Sequence, residues 1–205
     1  MARNNPKETA FESVYLRLLA QAKRRSCLCV GVTSSRPGEG VTSMAAGLAR
    51  AAAARSGGHV LACDLGQGER RLADLLDAES VPVTTVGSGG SLTVTHSSRK
   101  GLDVLTLAPE LANSADDELW AGVMSGLASH YVTIVLDLGD LGTPVPSLWQ
   151  HRVDELMLVV DSNHTTYESL ARLRKELETA EDARAIAAKR EQEMRAVLDE
   201  ARGVA

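Results

Sequence analysis

Aromatic side chains are scarce in this chain: two tryptophans, three tyrosines and one phenylalanine in 205 residues. So thin a supply offers no base-stacking platform, and Trp120 and Trp149 are read as packing residues. Basic charge is also in short supply. A formal net charge of −5 argues against a general nucleic-acid or anionic-membrane surface. No run of eighteen apolar residues occurs, and the opening Met1-Ala-Arg-Asn-Asn-Pro6 has no signal-peptide core. No direct membrane insertion is therefore expected, and the chain is assigned to the cytoplasm. Cysteine is limited to Cys27, Cys29 and Cys63, all in short apolar runs. The alternation that puts Cys27 and Cys29 on one strand face also puts them in the core, so they are read as small hydrophobes rather than metal ligands or a redox pair. The five histidines show no ligand spacing such as H-x-x-x-H.

What is present suits one compact α/β domain, since 44% apolar residues over this length are enough for a core. Residues 27–33 are small and β-branched, as in a strand buried on both faces. A loop with Pro37, Gly38 and Gly40 follows, then a helix over 42–55 that Gly57 and Gly58 stop. A second apolar run, 59–63, ends on Asp64. Strand, glycine loop, helix and strand form a βαβ unit, which places loop N–H groups and a helix N-terminus at the sheet's carboxyl edge, where they attract phosphate. The residues of this cradle are Arg36, Pro37, Gly38, Glu39, Gly40, Val41, Thr42 and Ser43.

A working loop of this kind has a lysine that reaches the β and γ phosphates, followed by a Ser or Thr that ligates Mg²⁺. Here Val41 stands at the lysine position and Thr42 at the metal-ligand position. Arg36, or Lys23, Arg24 and Arg25 before the first strand, would be the substitute cations; Arg36 is read as a solvated loop residue. The loop also approximates that of short-chain dehydrogenases, with Asp64 placed for a ribose. That chemistry needs a Tyr-x-x-x-Lys pair. The residues four beyond Tyr15, Tyr131 and Tyr167 are Leu19, Val135 and Ala171, which excludes it.

Outside the core, residues 8–22 carry a 3-4-3-4 stripe of Phe11, Val14, Tyr15, Leu18, Leu19 and Ala22 that predicts a helix packed on one face. Residues 81–100 read as a loop with a short strand over 92–95. Ser114, with Asp117 three residues on, reads as the N-cap of a helix. A helix over 165–180 carries Leu170, Leu173 and Leu177, and residues 181–198 continue as alanine and mixed charge at helical spacing. Their apolar stripe of Ile186, Ala187, Met194, Val197 and Leu198 is thin, and serves equally for a helix docked on a partner or one lying solvated on its own domain.

The run Val32-Thr-Ser-Ser-Arg-Pro-Gly-Glu-Gly-Val-Thr42 resembles the Thr-Ser-x-x-Pro-Gly-Glu-Gly-Lys-Ser/Thr loop of bacterial tyrosine kinases that accompany capsule and exopolysaccharide export, within the MinD/ParA-like group of P-loop ATPases. Residues 60–66 resemble the second acidic motif of that family, 71–76 the segment after it, 101–107 the next strand, 131–137 the Walker B strand, and 153–160 the strand beyond, with Thr165 following. The resemblance covers roughly residues 10–180 and implies ATP or ADP with Mg²⁺ held by Thr42, Asp64 and Asp137.

Departures from the pattern fall on chemical positions. The lysine is Val41, the second acidic-motif aspartate is Gly66, and the Pro-Pro after the Walker B aspartate is Gly139-Asp140. Phosphoryl transfer rests on lysine and Mg²⁺ neutralising developing charge, so no catalytic residue is assigned and Asp64 and Asp137 are read as vestigial. The tyrosine-rich tail is absent; the Glu-x-x-Arg-x-x-Arg ring element reads Glu12, Tyr15, Leu18; and a family strand expected after residue 180 is replaced by the alanine-rich helix.

The expected fold is a doubly wound, mostly parallel sheet flanked by helices, with extra N- and C-terminal helices. It forms a single domain, 1–205, with a helical arm (1–25), a P-loop core (26–180) and a C-terminal helix (181–205). The expected role is a non-catalytic, pseudokinase-like partner in exopolysaccharide or capsule synthesis or export, held at the inner face of the membrane by a membrane-bound polysaccharide co-polymerase, by an active kinase paralogue, or in a homo-oligomer. The alternatives are a weakly active ATPase or kinase rescued by another cation, and a ParA/MinD-like positioning protein.

Overall fold

A computed structural model describes residues 6–22, 26–65, 71–78, 84–86, 92–107, 109–114, 116–161, 165–172, 174–175 and 178–179. In chain order the elements are α1 (Pro6–Gln21), β1 (Leu28–Ser34), α2 (Val41–Arg55), β2 (Val60–Asp64), α3 (Arg71–Leu75), β3 (Thr84–Val86), β4 (Leu92–His96) and β5 (Leu102–Thr106). There follow α4 (Pro109–Ala112), α5 (Asp117–Ala128), β6 (Thr133–Asp140), α6 (Val145–Trp149) with a 3₁₀ turn over Gln150–Arg152, and β7 (Glu155–Val159).

Among the described residues these strands make one seven-stranded sheet in the order β3-β4-β5-β2-β6-β1-β7. The five strands from β5 to β7 run parallel, and β3 and β4 add an antiparallel margin. The doubly wound, mostly parallel expectation holds. The β3–β4 pair is a correction to the loop expected over 81–100: β4 lies where a short strand was expected, but β3 is too short for alternation to show.

The parallel strands have apolar side chains on both faces, each covered by helices. Alternation divides them into two cores. Val30, Val32, Val60, Ala62, Leu102, Val104 and Val135 pack under α1, α2 and α3; Cys29, Leu61, Cys63, Leu105, Ile134, Leu136 and Leu138 pack under α5 and α6. Cys29 and Cys63 are buried hydrophobes, as expected, while Cys27 precedes β1 and is half-buried against the second core. Burial pushes the Cys29 thiol up to about 12 and raises that of Cys63 well above its ordinary value, so neither is a ready nucleophile.

α1 docks through two contacts on its inner face, beside an ion pair between Glu12 and Arg55 of α2. A Cβ on Gly47 of α2 would meet the Phe11 ring at 2.3 Å, so only glycine lets the two helices approach this closely. The Tyr15 hydroxyl shares a buried hydrogen bond of 2.9 Å with Thr133 Oγ1 at the start of β6. Tyr15 and Leu18 are buried, but Leu19 is 40% exposed, a correction to the predicted stripe: the helix buries a narrower face than the spacing alone suggests.

On the other face Trp120 and Trp149 meet edge to face, with centroids 4.6 Å apart, and Arg152 lies over the Trp149 ring. Both are packing residues, as expected. The α5 cap is corrected from Ser114 to Asp116, whose Oδ1 accepts from Leu119 N at 2.9 Å; Ser114 Oγ instead accepts from Asp116 N. The helix starts later than the capping-box spacing implies, and the nearer carboxylate takes the N3 donor.

Contacts divide the chain into two compact units, Met1–Thr165 and Thr166–Ala205. In the second, residues 167–172 are helical, Thr166 Oγ1 accepts from Ser169 N, and Arg174 pairs with Glu178. The expected C-terminal helix (181–205), the replaced family strand, Gly66 and the cations Lys23, Arg24 and Arg25 lie outside the described residues.

Candidate functional site

The strand order decides where a site can form. β6 lies between β1 and β2, so the β1–α2–β2 crossover passes over it and leaves a crevice at the carboxyl ends of these three strands. A cleft of about 740 Å³ opens there, lined by Arg36, Pro37, Gly38, Gly40, Val41, Thr42 and Ser43 of the loop and helix start, and by Asp64, Asp74, Asp137 and Asp140.

The loop's shape is a property of its glycines. Gly38 and Gly40 have φ of +83° and +94°, a region that residues with a Cβ rarely enter. Gly40 caps α2 and, having no side chain, leaves the first N–H groups of the helix without a side-chain cap. The first turn thus presents the positive end of the helix dipole to the cleft. Val41 is the first residue of α2 and only 7% exposed; its side chain belongs to the core beneath α2 while also forming cleft wall.

On the cleft floor, Asp64 and Asp137 are register partners across β2 and β6, and each is only 2% exposed. Burial pushes the Asp137 carboxyl above its ordinary value, and hydrogen bonds from the Thr42 hydroxyl and the Gly139 N–H only partly offset this. Asp64 Oδ2 is approached by Leu72 N at 3.4 Å. The cleft therefore brings Thr42, Asp64 and Asp137 together. Their oxygen-only donor chemistry suits Mg²⁺, although no group of three or more His, Cys, Asp or Glu gathers around one point among the described residues.

Sequence reasoning missed Asp74 and Asp140 as cleft residues. Asp140 stood in view as a replacement for proline, and its carboxylate accepts from Gly142 N at 2.7 Å in the turn after β6. Asp74 lies in the 71–76 segment that resembles the family, but the resemblance gave it no place in the site. Glu39 was placed in the cradle, yet its side chain does not line the cleft; it turns back to accept from Ser35 N, Ser35 Oγ, Arg36 N and the Thr165 hydroxyl. Burial by itself would raise its pKa, but these donors outweigh it and hold the carboxyl below its ordinary value.

No family model and no curated protein matches the chain. Solved structures do. The kinase domain of the Escherichia coli tyrosine kinase ETK superposes with a TM-score of 0.67 at 18% identity, over 88% of this chain and 77% of that one. The VpsO kinase domain gives 0.62 at 23% identity, over 86% and 90%. The chain has the fold of bacterial tyrosine kinase domains. A ParA family ATPase from Chlorobium tepidum TLS shares it more distantly, with a TM-score of 0.54 at 22% identity over 75% of this chain and 67% of that one. On this kinase-like fold, the cleft at the ends of β1, β6 and β2 is where the loop, the helix start and the paired aspartates meet.

Proposed function

We propose that this is a degenerate P-loop domain that acts as a non-catalytic partner in bacterial exopolysaccharide or capsule synthesis or export. One observation carries the reading: Val41 closes the cleft wall where a lysine would stand, in a cleft lined, among the described residues, by four aspartates and a single arginine. Phosphoryl transfer needs positive charge aimed at the phosphates, and this lining supplies the opposite sign. The retained scaffold then serves binding to a membrane-bound polysaccharide co-polymerase, an active kinase paralogue or a second copy, at the inner face of the membrane. The fold shared with tyrosine kinase domains supports that setting.

Titration calorimetry with ATP and ADP, with and without Mg²⁺, tests this on the wild type beside Val41→Lys. The wild type is expected to give no measurable binding. The variant is expected to gain at least about tenfold in affinity, the scale of one added charge-assisted contact. ATP turnover or autophosphorylation by the wild type at the rates of an active kinase would end the reading. One observation favours a second reading, a weak ATPase: Arg36 lines the cleft. If so, turnover would be present in the wild type and lost in Arg36→Ala and Asp137→Ala.

A further inference from the structure

The loop has two sides, and the site described above uses one of them. Behind it, the Glu39 carboxylate gathers four donors. Oε2 accepts from Ser35 N at 3.0 Å, Ser35 Oγ at 3.1 Å and Arg36 N at 3.0 Å, and Oε1 accepts from the Thr165 hydroxyl. A carboxylate only accepts, so the direction of the last bond is fixed. The Thr165 oxygen in turn accepts from Asp161 N at 2.9 Å, and Thr165 N donates to Asp161 O at 2.8 Å. A single polarised path therefore runs from the Asp161 N–H through the Thr165 hydroxyl to Glu39 and the amides that open the loop.

These groups come from two turns that the sheet sets side by side. β1 and β7 are parallel neighbours, with Ser34 opposite Val159; the chain leaves β1 into residues 35–40, and Asp161 and Thr165, hydrogen-bonded to each other, follow β7. Among the described residues, no backbone hydrogen bond ties those two exits together beyond the last paired residues. Glu39 does so from the side chain. Its side chain is absent from the cleft wall, while its neighbours Arg36, Pro37, Gly38 and Gly40 form part of that wall.

We propose that Glu39 is a latch that makes the phosphate loop and the turn after β7 one conformational unit. A ligand or a partner that shifts the cleft side of the loop shifts Thr165 and Asp161 through Glu39, and anything that grips that pair fixes the loop in return. This holds whether or not the cleft takes a nucleotide, so its test is independent of the titration above.

The test is amide hydrogen exchange of the full chain, resolved by residue, without ligand. Thr165→Val keeps the shape of a half-buried side chain and removes the hydroxyl. The Ser35 and Arg36 amides, far away in sequence, are expected to exchange about tenfold faster, with the amides of β2, β5 and β6 unchanged. Glu39→Ala is expected to speed Asp161 and Thr165 reciprocally. Unchanged Ser35 and Arg36 exchange in Thr165→Val overturns the latch, because each turn would then hold itself. Should Glu39→Ala lose protection throughout the sheet, the Thr165→Val result decides alone.

Discussion

The back of the loop and the floor of the cleft each hold carboxylates, and their environments push them in opposite directions. Glu39, behind, has every oxygen supplied with donors and is held below its ordinary pKa. Asp137, in front, is buried with too little compensation and is raised. The first is a finished structural device. The second is charge that the fold keeps at a cost, at the place where the positive end of a helix meets a cavity. Their contrast separates the part of the loop that builds its shape from the part open to a ligand.

Breaking the finished side has the larger effect. Glu39→Ala leaves two loop amides and the Ser35 and Thr165 hydroxyls without their acceptor, and is expected to destabilise the domain by about 2 kcal/mol, measured by denaturant unfolding. The pH dependence has a definite sign. A carboxyl whose folded pKa lies below the unfolded value stabilises above the unfolded pKa, near 4.5, and that contribution is lost as pH falls through the folded value. The gap between wild type and variant should therefore be full at pH 7 and close in acid.

On the floor the sign reverses. The raised pKa of Asp137 means that the folded state favours the protonated form, so wild-type stability is lost as pH rises through the folded value. Asp137→Asn keeps an acceptor for Gly139 N and removes the charge. It is expected to stabilise the domain by on the order of 1 kcal/mol at pH 7, with the gain vanishing toward pH 4. A variant less stable than wild type at pH 7 would mean that a cation or donor already compensates Asp137.

These two environments were unequally legible in the sequence. Continuous apolar runs announced β1 and β2, because a strand buried on both faces leaves a strong compositional trace, whereas β5, β6 and β7 were placed by the resemblance to the kinase family. The glycines at 38 and 40 announced the cradle, since their positive φ is a backbone demand that few other residues meet. Asp74 lay in a segment matched to the family, yet nothing there marked it as a cleft residue, because its place in the cleft depends on where α3 lies rather than on a local pattern. The turning of Glu39 toward Thr165 was equally hidden: the partners are 126 residues apart and meet only because β1 and β7 are neighbours. Leu19 failed for a related reason, since periodicity gives the direction of a helical face but not the width that its partner covers.

The smallest change sharpens the comparison most, because it touches only the join between the two sides. The Thr42 hydroxyl belongs to α2 and donates to Asp137 on β6, one of the few groups that offset the burial of that carboxylate. Thr42→Val preserves the side-chain shape and the helix while removing that donor. Stability is expected to fall by only about 0.5 to 1 kcal/mol, since one hydrogen bond to a partly compensated group is lost. The Asp137 carboxyl, followed by NMR, should titrate at still higher pH than in the wild type. Glu39 should not move at all. A matching shift of both carboxyls would show that cleft floor and loop back share one electrostatic environment, and the division between a finished side and an open side would have to be abandoned.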